Sequence, residues 1–299
     1  MQSKKLKILV VLGPTATGKS DLAVRLAKKF DGEIISADSR QVYKSMSIGT
    51  GKITNKEKNG IKHHLLDVAS PKKIFTVAEY KILTEQAIHK ITSKNKTPII
   101  CGGTGFYIQS IVDDLQIPEV PANFVLRQQL ESKSLGELNT KLIKLDPIRA
   151  KNIDSKNNVR LVRAIEIAIA LGKVPKIKKG FNKKYEFLQI GLTLNNKKLE
   201  EKINKRLSKR IRAGMIAEVK KIHKSGISWR KLESFGLEYK FVAKYLQDKI
   251  TKGDMIRLLE IAIRQYAKRQ VTWFKRDKTI KWFDPKDYKK IAAQVQSFI

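Results

Sequence analysis

Cysteine is almost absent from this sequence, since Cys101 is the single cysteine in 299 residues. One thiol excludes an internal disulfide and a metal site built from several cysteines. Long apolar runs are also missing, because no stretch reaches the roughly 20 apolar residues that a membrane-spanning helix requires. The basic start is similar to the beginning of a signal peptide, but the apolar run after it is about half the usual length. We therefore expect a soluble, cytoplasmic protein.

Acidic residues are scarce as well. The 28 Asp and Glu residues stand against 62 Lys and Arg residues, which leaves a formal net charge of +34. Such a surplus repels itself and indicates a polyanionic partner, such as RNA or DNA, or an anionic membrane surface. Any single lysine, however, is expected on a solvated face. The apolar fraction of 41% indicates a chain folded throughout, with room for one large or two modest domains.

The most specific pattern is a glycine-containing stretch between a short apolar run and an amphipathic helical pattern. It matches G-x-x-x-x-G-K-[ST], the phosphate-binding loop, and consists of Gly13, Pro14, Thr15, Ala16, Thr17, Gly18, Lys19 and Ser20. Its backbone N–H groups and the following helix N-terminus attract phosphate oxygens, and Lys19 adds a positive charge. The Ser20 hydroxyl suits Mg²⁺. The stretch predicts a site for a di- or triphosphate with Mg²⁺.

Two further predicted strands end in polar residues. Strand 33–37 is followed by Asp38, and strand 97–101 by two glycines and Thr104. The carboxyl ends of parallel strands line one crevice, so these side chains are expected to share a space with the phosphate loop. A carboxylate there is either a metal ligand or a general base, and a solvated loop Asp is a third reading.

Two hallmarks of nucleotide hydrolases are missing. Strand 97–101 does not end in the Asp that such enzymes use to hold Mg²⁺, and the guanine-reading Asn-Lys-x-Asp is not present. A nucleotide hydrolase is therefore disfavoured.

The element pattern predicts an α/β fold: a P-loop parallel sheet core with helices on both faces, interrupted by a mostly helical insertion domain. Residues 1–114 and 186–299 are assigned to the core and residues 115–185 to the insertion. Within the insertion, helical patterns are spaced by prolines, and strand character returns at 186–192.

The last hundred residues are basic. Residues 199–224 read as one long helix, with Arg206 beside its buried seam, and Asp254 reads as the cap of another helix reaching at least Tyr266. Basic and aromatic residues then alternate up to Arg276, a combination that can contact phosphates and stack on bases. A solvated basic helix face explains the same pattern about as well. Residues 280–283 are predicted as a final edge strand.

The histidine pair His63 and His64, followed by Asp67, suggests a metal site. Adjacent residues of an extended segment point to opposite faces, however, which suits chelation poorly. A structural or substrate-loop role is favoured.

Seven motifs follow one another along nearly the whole chain: GPTATGKS at 13–20, ADSRQVY at 37–43, IGTGK at 48–52, HHLLD at 63–67, GGTGFY at 102–107, VRLVRAIE at 159–166 and AKRQVTWFKR at 267–276. In this order and spacing they resemble the tRNA dimethylallyltransferase (isopentenyl transferase) family. The resemblance implies that the phosphate loop holds the diphosphate of dimethylallyl diphosphate. The group would be transferred to N6 of the adenine 3′-adjacent to the anticodon of tRNA, and pyrophosphate would leave with Mg²⁺.

The resemblance also implies roles for individual residues. Asp38 corresponds to the general base, Thr104 to a threonine where donor and adenine meet, and Arg206 to a diphosphate-binding arginine. Gln41 is expected to read the adenine, which must leave its stack to be reached. The residues nominated for tRNA binding are Asp38, Ser39, Arg40, Gln41, Thr104, Arg127, Val159, Arg160, Leu161, Val162, Arg163, Lys268, Arg269, Gln270, Thr272, Trp273 and Lys275.

The sequence departs from the family pattern in places. Arg40 stands where many relatives carry an apolar residue, and Gly236 is followed by Leu-Glu-Tyr-Lys instead of the common Tyr-Lys-Glu. We expect a monomer that binds the anticodon stem-loop, with no membrane partner.

Three alternatives stay open at this point. A P-loop nucleotide or small-molecule kinase shares the loop and Asp38 but gives no reason for the charge. An isopentenyltransferase of free adenine nucleotides shares the chemistry but not the need for a basic helical insertion. An RNA-binding protein whose P-loop only gates its conformation would bind tRNA without forming a product.

Overall fold

A computed structural model describes residues 5–178, 180, 182 and 184–299. The chain forms two compact units. The first combines Met1–Asp113 with Phe181–Ile299, and the second is Asp114–Gly180.

The first unit is built on a six-stranded parallel sheet, which confirms the predicted fold class. Its strands are β1 (Leu6–Leu12), β2 (Gly32–Ala37), β3 (His63–His64), β4 (Thr97–Gly102), β5 (Tyr185–Leu192) and β6 (Lys281–Phe283). Their order across the sheet is β3-β2-β4-β1-β5-β6, and every neighbouring pair is parallel. The central strands are rich in Ile, Leu and Val because both of their faces are buried over most of their length. The five predicted strands agree with β1, β2, β4, β5 and β6 within one residue, whereas the two-residue strand β3 was not predicted.

Helices lie between the strands along the chain and after the last of them. The first four are α1 (Lys19–Lys29), α2 (Asn55–Lys58), α3 (Val77–Thr92) and α4 (Gly105–Val112). The second unit contains α5 (Phe124–Glu131), α6 (Leu135–Leu145), α7 (Pro147–Lys151) and α8 (Asn158–Leu171). The last six are α9 (Asn196–Arg212), α10 (Met215–Lys224), α11 (Trp229–Ser234), α12 (Leu237–Leu246), α13 (Lys252–Phe274) and α14 (Tyr288–Phe298).

The sheet is covered on both faces. Helices α1 and α14 pack on one face around Leu9 and Val11, while α3 and α4 pack on the other around Ile8 and Val10. A third apolar cluster joins α9 to α13 with the segment around Val42. The second unit has its own core, made by α5, α6 and α8.

Local chemistry sets the helix ends. Thr76 and Glu79 form a capping box at the start of α3, in which each side chain accepts the other's backbone N–H. At the end of α8, Gly172 adopts φ 75°, a left-handed conformation that favours glycine.

Several sequence-based boundaries were wrong. The predicted helix 199–224 is two helices, because Gly214 adopts φ 97° and begins α10 as its cap. The cap of α13 is Thr251, whose hydroxyl accepts the N–H of Asp254. Helix α13 continues to Phe274, so the basic and aromatic cluster lies on it. The short helices α2, α7 and α11 were not predicted. In the described part of the chain, no helix combines the length and apolarity needed to cross a membrane.

Candidate active site

The phosphate loop connects β1 to α1 through three left-handed residues. Gly13, Ala16 and Gly18 have φ values of 138°, 63° and 90°. A Cβ on Gly13 would lie 2.5 Å from the carbonyl oxygen of Leu192 on β5, so only glycine fits there. The Thr17 hydroxyl donates to the carbonyl oxygen of Pro14 at 2.9 Å and closes the turn.

Lys19 lies at the first position of α1, with Nζ 2.6 Å from the carbonyl oxygen of Pro14. Burial lowers the pKa of Lys19 to about 8, and the nearby positive charge of Arg206 acts in the same direction. A buried cation next to another cation is unfavourable until an anion joins them. The loop is therefore arranged for a negatively charged ligand.

Arg206 reaches the loop from α9. Its Nη1 donates to the Thr15 hydroxyl at 3.2 Å and its Nη2 to the carbonyl oxygen of Gly51 at 3.4 Å. Burial lowers the pKa of Arg206 to about 10, with a further contribution from the neighbouring Arg210. The structure thus brings together the two cations that the sequence nominated for the diphosphate.

Gln270 fastens the phosphate loop to the end of β4. Its amide oxygen accepts the Thr15 N–H at 2.9 Å, and its amide nitrogen donates to the carbonyl oxygen of Gly103 at 2.8 Å. The residue is 7% exposed. Both ends of this side chain, nominated for tRNA binding, are engaged within the protein.

Asp38 and Thr104 lie at the ends of β2 and β4, which are neighbours in the sheet. Asp38 Oδ1 accepts the N–H groups of Arg40 at 2.8 Å and Gln41 at 3.2 Å. Thr104 Oγ1 accepts the N–H of Ser39 at 3.0 Å. These bonds fix both side chains at the edge of the sheet where the phosphate loop lies.

Tyr266 on α13 is a residue of this site that the sequence reading treated only as a helix position. Its side chain bonds that of Thr104, and burial raises its pKa above the ordinary value. No local pattern marks it, because the contact depends on how α13 crosses the end of the sheet.

The remaining nominated residues of α13 divide by exposure. Lys268, Arg269, Thr272 and Lys275 are exposed. Trp273 is half-buried and meets Phe106 edge-on, with ring centroids 6.3 Å apart. A stripe of positive charge on this helix is thus open to solvent beside a tryptophan fixed in the protein.

In the second unit, the nominated residues also have different environments. Arg127 and Arg163 both donate to the buried carboxylate of Glu166, the first through Nη2 at 2.8 Å. Burial acts to raise the pKa of Glu166, but these two guanidinium groups hold it below its ordinary value.

Their neighbours on α8 lie on two faces of the helix. Leu161 and Val162 are buried in the core of the unit, while Val159 and Arg160 are exposed. The side chains of Val159 and Arg160 are therefore open to solvent.

The histidine pair is engaged locally. His63 Nδ1 lies 2.9 Å from the carbonyl oxygen of Ile61, and His64 Nε2 lies 2.6 Å from the carboxylate of Glu33 on β2. Among the described residues, no group of three or more His, Cys, Asp or Glu side chains could hold a metal ion. The contacts of His64 are those of a residue that joins β3 to β2.

The donors available for Mg²⁺ at the phosphate loop are oxygen atoms. Ser20 is at the second position of α1, and Asp38 is near enough for its charge to act on the pKa of Lys19. Mg²⁺ is commonly bound by one or two protein oxygens together with substrate phosphates and water. The residues present therefore fit this ion.

Fold and site together define a P-loop α/β protein with a helical second unit. A family model described as IPP transferase matches residues 41–277. The chain is 41% identical to the tRNA dimethylallyltransferase of Anoxybacillus flavithermus, covering 94% of this chain and 91% of that one. It is 42% identical to the corresponding protein of Finegoldia magna, covering 95% and 92%. The chain belongs to the IPP transferase family, as its motifs indicated.

Solved structures agree with this assignment. The tRNA isopentenylpyrophosphate transferase of Bacillus halodurans matches with a TM-score of 0.74 and 34% identity, over 98% of this chain and 96% of that one. A eukaryotic dimethylallyltransferase acting on tRNA matches with a TM-score of 0.81 and 26% identity, over 98% and 78%.

Proposed function

We propose that this protein transfers the dimethylallyl group of dimethylallyl diphosphate to N6 of the adenine 3′-adjacent to the anticodon in tRNA. The observation that carries the proposal is the meeting of three features at one sheet edge. These are a phosphate loop with two half-buried cations, a carboxylate two strands away, and a hydroxyl on the strand between them. The family membership and the names of the relatives support the same reaction.

The reaction forms one bond and breaks another. The adenine N6 attacks the allylic carbon, whose bond to the diphosphate oxygen breaks, and the electron pair of that bond leaves with pyrophosphate. N6 loses a proton, which Asp38 is placed to accept as general base, a role typically worth about 10²- to 10⁴-fold in rate.

The chain's own cations stabilise the leaving group. Lys19 and Arg206 are half-buried and already fixed by hydrogen bonds, so they need little reorganisation when negative charge develops on the diphosphate. The backbone N–H groups of the loop and the N-terminus of α1 act on the same charge. Mg²⁺, held by Ser20 and the diphosphate, would neutralise part of it.

The RNA is expected to meet both units. Gln41, whose backbone N–H is held by Asp38, is assigned to the adenine edge, and the exposed side chains of α13 and of the start of α8 to the phosphates. We expect a monomer that acts in the cytoplasm.

One incubation tests the proposal. The protein is mixed with dimethylallyl diphosphate, Mg²⁺ and unmodified tRNA, and the nucleosides are analysed by mass. We expect a five-carbon addition to adenosine that requires all three components, and release of pyrophosphate in equal amount.

Two parallel reactions address the alternatives. ATP consumption with nucleosides and no prenyl donor would indicate a kinase, and prenylation of free AMP in preference to tRNA would indicate a transferase of nucleotides. Tight tRNA binding without any prenylated adenosine would refute the proposal.

A further inference from the structure

The loop 47–51 contacts both the residue assigned to the adenine and a residue assigned to the donor diphosphate. The carbonyl oxygen of Gly51 lies 3.4 Å from Gln41 Nε2 and 3.4 Å from Arg206 Nη2. Arg206 in turn contacts Thr15 of the phosphate loop. One carbonyl group thus contacts both the side chain assigned to the adenine and the guanidinium assigned to the diphosphate. A displacement of the loop would therefore move a hydrogen-bond acceptor of both side chains.

Glu218 holds the N–H side of this loop. Its Oε2 accepts the N–H groups of Ser47 at 2.9 Å and Ile48 at 2.6 Å, and its Oε1 accepts the N–H of Gly49 at 3.0 Å. The Tyr239 hydroxyl donates to Oε1 at 2.8 Å. A carboxylate has about four acceptor sites, and all four are used here. Glu218 lies in the first turn of α10, where the helix dipole favours a negative charge.

Arginines hold the carbonyl side. Arg210 donates to the carbonyl oxygen of Gly49 at 3.2 Å and to Glu238 at 2.7 Å, while Arg206 contacts Gly51. The loop therefore lies between a carboxylate that accepts hydrogen bonds from its N–H groups and guanidinium groups that donate hydrogen bonds to its carbonyl oxygens.

The loop also fits its surroundings closely. Gly51 has φ 60°, and a Cβ there would collide with the guanidinium groups of Arg206 and Arg210. A Cβ on Gly49 would lie 2.8 Å from the Tyr239 ring. Only glycine fits at these two positions, so the chain approaches its partners as closely as a backbone can.

We propose that Glu218 is a positioning residue for the transfer reaction, which fixes the loop 47–51 so that the Gly51 carbonyl orients Arg206 toward the donor diphosphate. Glu218 acts through the loop, since its four bonds all go to protein groups. The inference rests on the proposed function, because it uses the same donor site.

The variant Glu218→Gln tests this role at constant side-chain size. Glutamine keeps one acceptor oxygen but places an NH₂ group against backbone N–H groups, so at least the bonds of one carboxylate oxygen are lost. We expect the KM for dimethylallyl diphosphate to rise about tenfold, as a small misplacement of a binding group does. Tyr239→Phe removes one donor of four, and we expect a rise of about twofold.

A matched control is Glu79→Gln. Glu79 also accepts a backbone N–H, that of Thr76 at 2.7 Å, but it does so at the start of α3. We expect this variant to lower thermal stability without changing the KM for the donor. An equal increase of KM in this variant would show that the loss of a carboxylate–backbone hydrogen bond anywhere in the protein weakens donor binding. That result would overturn the proposal.

The decisive measurement is a double-mutant cycle with Arg206→Ala, read by calorimetric binding of inorganic pyrophosphate. If Glu218 acts through Arg206, Glu218→Gln weakens pyrophosphate binding in the parent protein and has no further effect in Arg206→Ala. Additive losses, or unchanged binding in the single variant, would overturn the inference. If Glu218→Gln does not fold, the same cycle is run with Tyr239→Phe.

This readout is independent of turnover. Failure of the proposed function appears as a parent protein that binds pyrophosphate but prenylates no adenosine. Failure of the inference appears in the cycle alone.

Discussion

The low pKa of Lys19 predicts that donor binding weakens as the pH rises above about 8. Burial places this pKa at about 8 in the ligand-free protein, compared with 10.5 for an ordinary lysine. A bound diphosphate favours the charged ammonium and returns the pKa to its ordinary range or above it. Binding above pH 8 therefore requires the uptake of about one proton.

The magnitude follows from the two pKa values. Below pH 8 the lysine is charged in both states and the Kd is constant. Above pH 8 the Kd rises about tenfold per pH unit, which is roughly 30-fold at pH 9.5 and is complete near pH 10.5. The last ionisation of the terminal phosphate of dimethylallyl diphosphate, as in other phosphate monoesters, lies at about pH 6 and does not interfere in this window. Arg206, with a pKa of about 10, titrates above most of it.

The free energy of unfolding of the ligand-free protein is expected to increase over the same pH range in which donor affinity falls. Because the folded-state pKa of Lys19 is lowered, the unfolded chain binds more protons between pH 8 and 10.5. The contribution of this residue to the free energy of unfolding therefore increases with pH in that window. The ligand-free site loses an unfavourable buried charge at the pH where it loses its affinity for the donor.

The assay is calorimetric binding of dimethylallyl diphosphate, without tRNA, from pH 7 to 9.5, in buffers of different ionisation enthalpy. We expect little proton uptake at pH 7 and about one proton per donor molecule at pH 9.5. Lys19→Arg is the control, because the ordinary pKa of a guanidinium lies well above that of an ammonium, so the dependence should move to higher pH and largely disappear from this range. A Kd that is flat from pH 7.5 to 9.5 in the parent protein would refute the reasoning.

Three other predictions concern single functions of the site. Asp38→Asn should bind tRNA and pyrophosphate normally but transfer the prenyl group about 10²- to 10⁴-fold more slowly, and normal single-turnover transfer would contradict the general-base assignment. Gln270→Ala leaves two buried backbone groups without a partner and should lower the free energy of unfolding by about 2–4 kcal/mol in a urea titration, so a change within error would show that water replaces the amide. Changing Lys268 and Arg269 to Ala should reduce the slope of log Kobs for tRNA against log salt by about one unit per lost phosphate contact, whereas an unchanged slope would place both residues on a merely solvated face.

Much of the core fold could be predicted from local patterns. The apolar runs that became β1, β2 and β4 mark buried parallel strands, and the polar residues after them mark the ligand edge of the sheet. Asp38 and Thr104 were found in this way, because a strand end is a property of a few consecutive residues. The helix break at Gly214 was not predicted, because the helical spacing of apolar residues continues on both sides of it. A single glycine in a sequence does not show whether its φ angle is positive.

The partners of the site residues could not be predicted. Gln270 bonds Thr15, and Glu218 bonds Ser47, Ile48 and Gly49, each across more than 150 positions of the chain. Nothing in the neighbourhood of Gln270 distinguishes it from the exposed Arg269 beside it. Their different environments depend on the rotation of α13 about its axis, which is set by the packing of its apolar face.

The sequence alone determined that a phosphate loop, a carboxylate and a hydroxyl stand at the ends of parallel strands, because backbone geometry and side-chain alternation act over a few residues. The tertiary structure decided which cations lie against the loop, which carboxylates accept hydrogen bonds from backbone N–H groups, and which basic residues are exposed to solvent. Those outcomes depend on desolvation and on contacts between distant elements, and both exist only once the helices have packed.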